Sequence, residues 1–119
     1  MTSIKSLLLL FALTFLSCND SEQKKLIQGK WICTDWKVRG ESKDQVNVEF
    51  SFQEGGKYEY KNANLNEKGD YKIQGGKLYT TPENELEMAV DIEKLTADTL
   101  IFNMSRGGTP EMMLLIKAD

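Results

Sequence analysis

Two kinds of hydrophobic patterning divide the chain. Residues 7–16 read Leu7-Leu8-Leu9-Leu10-Phe11-Ala12-Leu13-Thr14-Phe15-Leu16, an apolar run interrupted by a single threonine. From Trp31 onward the pattern becomes short runs in which apolar and polar residues alternate, the period of a half-buried strand. Between them, Glu22–Ile27 reads as a short helical piece that stops at Gly29. The alternating runs are Trp31–Val38, Val46–Phe52, Lys57–Lys61, Gly69–Gln74, Lys77–Thr81, Leu86–Glu93, Thr99–Ser105 and Glu111–Lys117. In the second, Val46, Val48, Phe50 and Phe52 oppose Asn47, Glu49 and Ser51. In the sixth, Leu86, Met88, Val90 and Ile92 oppose Glu87, Ala89, Asp91 and Glu93. Tight turns are marked by Glu54-Gly55-Gly56, Gly75-Gly76, Ala97-Asp98 and Gly107-Gly108, whereas Arg39–Gln45 and Asn62–Lys68 read as longer polar loops.

Eight strands joined in order by short turns make an antiparallel meander, which has two exposed edges unless it closes on itself. The expected fold class is therefore all-β: a small eight-stranded antiparallel up-and-down β-barrel preceded by a short N-terminal helix. A two-sheet sandwich shows the same alternation but ordinarily needs longer crossovers. Projecting the alternation inward places Val46, Val48, Phe50, Phe52, Tyr58, Tyr60, Leu86, Met88, Val90, Ile92, Leu100, Phe102 and Met104 in the lumen. Nearly all are large, so the expectation is a packed core with at best a shallow pocket at the open end.

The leading apolar run is too short to cross a bilayer: ten residues of helix span roughly 15 Å, half a hydrocarbon core. Behind Lys5 it has the form of a signal-peptide core. It ends in Leu16-Ser17-Cys18, which resembles the bacterial lipobox, with Phe15 standing where that motif usually has Leu. The resemblance implies that residues 1–17 are a cleaved lipoprotein signal peptide and that Cys18 is lipidated. Residues 18–25 are then a polar tether and residues 26–119 the folded domain. A diacylglyceryl group and an amide-linked acyl chain such as palmitate would hold the protein on a membrane of the bacterial cell envelope. The expected place is the outer membrane, on its periplasmic face or at the cell surface.

Composition narrows the field. The net charge is −3, and loss of Lys5 with the signal makes it −4. This mildly acidic, mixed-sign surface carries no electrostatic footprint for nucleic acid. With Cys18 acylated, Cys33 is left without a disulfide partner and reads as a small buried hydrophobe. Roughly 100 mature residues must then be stabilised by one core alone.

A second resemblance rests on Leu26-Ile27-Gln28-Gly29-Lys30-Trp31, where a Gly-x-Trp opens the first strand. With Phe50-Ser51-Phe52, Gly56-Lys57-Tyr58, Gly69-Asp70-Tyr71, Gly76-Lys77-Leu78, Leu95-Thr96-Ala97-Asp98-Thr99-Leu100 and Leu115-Ile116-Lys117, it is similar to the lipocalin-like domain of small bacterial lipoproteins. The resemblance implies a tryptophan plugging the closed end of the barrel and a binding role for a small apolar ligand or lipid. The chain is shorter than a typical lipocalin and lacks the C-terminal helix and later cysteines of that family, which argues against a deep cup.

Candidate chemistry is sparse. The chain contains no histidine, which removes the usual general base and the commonest metal ligand. Glu83, Glu85, Glu87, Asp91 and Glu93 form the obvious carboxylate group, but Glu87, Asp91 and Glu93 alternate opposite an apolar face and are expected in solvent. No enzyme activity, cofactor or metal is expected. Trp36, Tyr58 and Tyr60 are the candidate ligand-binding residues, offering apolar faces with polar tips. The competing expectation is a protein-interaction module: an inhibitor, an immunity-type protein or an accessory subunit of an envelope complex. Its contacts would be made through the loops 39–45 and 62–68.

Overall fold

A computed structural model of the protein describes residues 20–44 and 47–118. The apolar leader, Cys18, Gln45 and Val46 lie outside the described residues. Helix α1 (Asp20–Ile27) leads into β1 (Gly29–Val38), β2 (Glu41–Ser42), β3 (Val48–Phe52), β4 (Lys57–Asn62) and β5 (Leu65–Gln74). The remaining strands are β6 (Lys77–Pro82), β7 (Met88–Leu95), β8 (Thr99–Arg106) and β9 (Thr109–Lys117). Neighbours pair antiparallel in the order β1-β3-β4-β5-β6-β7-β8-β9, and β9 pairs back onto β1, closing an eight-stranded ring. The two-residue β2 adds to the end of β1 through Lys37↔Ser42 and Val38↔Glu41. Closure leaves the long strands no free edge, which is how a meander of this kind avoids pairing with other chains.

Period-two alternation builds the core. Trp31, Cys33, Val48, Phe52, Tyr58, Ile73, Leu78, Leu100, Phe102, Met113 and Leu115 all point inward and are buried. Each large apolar side chain buried this way contributes roughly 1.5–3 kcal/mol. Phe52 sits between Phe50, Tyr58 and Tyr71, the last in an edge-on contact with centroids 5.0 Å apart. Gly69 marks a close approach: a Cβ there would lie 2.1 Å from the Thr81 carbonyl oxygen, so only glycine lets β5 and β6 meet in this register.

One end of the barrel is closed. Trp31 is fully buried there, and its indole Nε1 donates to the Ile27 carbonyl at 2.8 Å. Ile27, also fully buried, caps the same layer from the end of α1. Lys117 lies over the Trp31 ring, 4.6 Å from its centroid, and donates to the carbonyls of Leu26 and Gln28. These are the last carbonyls around the helix end, where acceptors lack intrahelical partners. The turns 53–56, 75–76 and 96–98 lie at this end, and the turns 39–40, 63–64 and 107–108 at the other.

The structure departs from the sequence reading in four places. Residues 65–68, read as part of a polar loop, are the start of β5 and pair with β4 from Asn62↔Leu65 to Glu59↔Lys68. Within 39–45, Glu41 and Ser42 are paired as β2. Leu86, read as inward, is 88% exposed and lies in the segment before β7. The helix expected from Glu22 begins two residues earlier, at Asp20.

Candidate functional site

The lumen is filled at the closed end and hollow at the open end. A cavity of about 300 Å³ occupies the open half. Leu78, Phe102 and Met113 form its floor, and Trp36, Phe50, Tyr58 and Tyr60 its aromatic walls. Asn62, Leu65, Glu67, Met88 and Arg106 stand around the mouth. The cavity lies at the open end, where a pocket was expected; of the residues projected inward, Leu86 stays outside and Met88, 51% exposed, sits at the lip.

A β-bulge in β1 brings Trp36 into this site. Cys33 pairs with Leu115 and Asp35 with Leu114, so Thr34 is the extra residue. Strict alternation from Trp31 and Cys33 would turn Trp36 outward, and the one-residue insertion reverses that phase. The Cys33 thiol donates to the Asp35 carbonyl at 3.3 Å, across the bulge. Trp36 is then held by its Nε1, which donates to Glu111 Oε1 at 2.9 Å. The other oxygen of Glu111 lies 3.4 Å from Arg106 Nε. Lys43 stacks over the Trp36 ring, 4.0 Å from its centroid.

The tyrosines are fixed by their tips. Tyr58 donates to Glu67 Oε2 at 2.8 Å, and the Tyr60 hydroxyl accepts from Asn62 Nδ2 at 3.1 Å. Burial, with the Glu67 carboxylate adding to it at Tyr58, pushes both phenols above their usual range, so both remain neutral donors at physiological pH. Phe50 links them to the floor, 4.9 Å from Tyr60 and 5.9 Å from Phe102. Side chains locked in this way form a preorganised apolar wall with a few polar groups at its rim, the common build of a small-molecule site.

The three aromatic residues singled out from sequence, Trp36, Tyr58 and Tyr60, therefore line one cavity. Cys18 lies outside the described residues. Glu67, Asn62, Arg106 and Glu111 were missed. Arg106 continues the inward phase of Leu100, Phe102 and Met104, so alternation pointed to it; Glu67 shares the phase of Gly69, Tyr71 and Ile73 but falls in the segment read as a loop. Among the described residues, nothing at the site pairs a nucleophile with a base. Burial raises the Cys33 thiol to about 11, which keeps it protonated and unreactive. The acidic residues 83, 85, 87, 91 and 93 are all exposed, with Glu87 and Asp91 facing Lys72 and Lys77. A larger depression of about 490 Å³ lies beside Gly69 and residues 81–85, but half of its lining residues are charged, and Lys57 and Asp70 pair across it at 2.5 Å.

A family model for a lipocalin-like domain matches residues 27–102. The chain belongs to the lipocalin-like family. Among solved structures, this lipocalin-like protein is similar to one from Bacteroides uniformis ATCC 8492, described as a lipocalin-like protein, at 16% identity and a TM-score of 0.63. The match covers 77% of this chain and 98% of that one. No curated protein matches the chain. The lipocalin-like assignment rests on Ile27 through Phe102, so it includes the Gly29-x-Trp31 opening and most of the cavity wall, while β9 completes the ring beyond it.

Proposed function

We propose that this protein is a lipid-anchored, non-enzymatic lipocalin-like barrel that binds a small, largely apolar molecule in its open-end cavity at the bacterial cell envelope. The observation that carries this reading is the cavity itself. Its volume of about 300 Å³ lies at the lower edge of small-molecule sites, and its walls are aromatic side chains with satisfied polar tips. Absence of histidine and the protonated Cys33 thiol support a binding role over catalysis. The anchor is supported by Leu16-Ser17-Cys18 at the end of the apolar run, two residues before α1.

A second reading, a protein-interaction module, draws on the outer wall. Ile32 and Ile116 are register partners there, 44% and 39% exposed, and form an apolar pair facing outward. One measurement separates the two: native mass spectrometry of the protein extracted from its own envelope in mild detergent. A stoichiometric small-molecule adduct beyond the covalent acyl chains is the expected result. A bare barrel that co-purifies with another polypeptide would overturn the ligand reading in favour of the second, and a Cys18→Ala protein that stayed acylated and membrane-bound would remove the anchor.

A further inference from the structure

The barrel wall closes around its whole circumference but not to its full height between β7 and β8. From their shared turn at the closed end, the two strands pair as far as Asp91↔Asn103. Beyond that point β7 reaches back to Met88 and β8 runs on to Arg106, yet they no longer pair with each other. Each is still held on its other side. Met88, Ala89 and Val90 pair with Thr80, Tyr79 and Leu78 of β6, and Met104, Ser105 and Arg106 pair with β9. A bulge bends the strand that carries it, and Glu93 is an extra residue in β7 just below the parting. Elsewhere near the mouth the chain itself covers the place where pairing stops. Beside β1, β2 pairs with Lys37 and Val38, and the Lys43 N–H donates to the Trp36 carbonyl. Beside β5, the Glu83 N–H donates to the Lys68 carbonyl. Among the described residues, no other segment pairs with the facing sides of β7 and β8 above the parting.

Side chains, not backbone, fill this notch. Met88 and Val90 line the cavity from one lip, and Met104 and Arg106 from the other. Ala89 and Ser105, between them in sequence, are exposed. Methionine is unbranched and re-packs at small cost, so a methionine on each lip yields readily to a narrow ligand. The apolar lining of the cavity thus runs out through the notch and ends on the half-exposed Met88. Size gives this exit a use. About 300 Å³ holds roughly ten carbon-sized groups. A linear chain longer than that must leave the cavity, and in the notch it leaves without losing contact with apolar side chains.

We propose that the notch between β7 and β8 is a second part of the binding site, which takes the protruding end of an unbranched alkyl chain longer than about ten carbons, and that Met88 and Met104 are the residues that set chain length. This rests on the cavity being the ligand site. The test uses the unacylated mature chain, residues 18–119, with Cys18→Ser, and the neutral apolar fluorophore N-phenyl-1-naphthylamine. Unbranched 1-alkanols, whose lack of charge isolates chain length, compete for it: octanol, decanol, dodecanol and tetradecanol. A fully buried methylene is worth about fourfold in affinity and a half-covered one about twofold. Tetradecanol is therefore expected to displace the probe at a concentration about tenfold or more below decanol. Ala89→Cys with Ser105→Cys, oxidised, draws the lips together. It is expected to leave octanol binding unchanged and to reduce the advantage of tetradecanol over decanol to below about threefold, with dithiothreitol restoring it. Met88→Gln with Met104→Gln, which makes both lips polar without a cross-link, is expected to shrink the same advantage to below about threefold whether or not the disulfide forms. Tetradecanol binding no tighter than decanol, or an advantage unchanged by the double glutamine variant or by the closed disulfide, would overturn the notch while leaving the cavity as a ligand site. Failure of the probe and of every alcohol to bind would remove both.

Discussion

The Cys33 thiol sits where β1 bulges, buried against the core with its sulfur donating to the Asp35 carbonyl. Burial is the largest cause of its raised pKa, and the Asp35 carboxylate adds to it, lifting the thiol to about 11. The folded state therefore holds this proton more tightly than the unfolded chain, whose thiol titrates near its ordinary value. Its contribution to stability is whole below pH 8 to 9 and is lost as pH rises through about 11. Tyr58, Tyr60 and Tyr71 are shifted in the same direction, so they deepen the alkaline loss at higher pH. Urea midpoints measured between pH 8 and pH 10 should fall, and Cys33→Ala should recover about 1 kcal/mol of that fall while lowering stability at neutral pH. A wild-type midpoint that stays flat to pH 10 would show that the thiol is not shielded as its position requires. The same burial predicts no reaction with thiol reagents until the barrel is unfolded.

At the scale of elements, the closed end is a clasp made by three pieces distant in sequence: α1, the start of β1 and the end of β9. Lys117 joins them by donating to the Leu26 and Gln28 carbonyls while its charge rests on the Trp31 ring. Hydrogen bonds to a charged donor stabilise by about 1.5–3 kcal/mol, so Lys117→Met should lower unfolding free energy by about 2 kcal/mol. Amide exchange should rise in α1 and at Gly29–Trp31 before it rises in β4 to β6. Unchanged exchange in α1 would mean that helix docking depends on Ile27 alone. Much of this architecture was legible in the sequence, because strands with one wet face carry their own signature and Gly75-Gly76 and Gly107-Gly108 supply the positive φ that tight hairpins need. The β4–β5 hairpin was not legible. Its turn uses Ala63 at a φ of 43° rather than glycine, and Leu65-Asn66-Glu67-Lys68 has little strand propensity. Their placement comes from pairing with Tyr60 and Lys61 rather than from local preference. The bulge at Thr34 was equally hidden, since nothing in Cys33-Thr34-Asp35 marks an inserted residue, yet it decides which way Trp36 faces. The site residues were thus found by type, as aromatics with polar tips, while their charged companions Glu67 and Arg106 were hidden by a misplaced loop and by the assumption that charge lies outside.

Across the whole molecule, the start of the described chain and the mouth of the cavity lie at opposite poles. Asp20 opens α1 at the closed end, where its carboxylate accepts from the Gly75 N–H at 3.2 Å. Cys18 is two residues earlier, and two extended residues reach at most about 7 Å. Asn62, Leu65 and Arg106 mark the mouth at the far ends of β4, β5 and β8. If Cys18 carries the lipid, the tether is too short to let the barrel turn over, so the closed end must face the anchoring membrane and the mouth must face away from it. Ligand would then arrive from the aqueous side and not by sliding out of the anchoring leaflet. Acylated protein in vesicles with headgroup-attached nitroxide lipids tests this directly. A label at Ala97→Cys, in the β7–β8 turn of the closed end, should be strongly quenched, and one at Asn64→Cys, in the β4–β5 turn beside the mouth, should be nearly unaffected. Both positions are exposed and Cys33 is buried, so labelling is selective. Equal quenching at the two sites would mean that the barrel lies on its side. In that case the mouth would meet the bilayer at its edge, with Leu65 and Leu86 as the apolar contact, and the route of entry would run through the membrane.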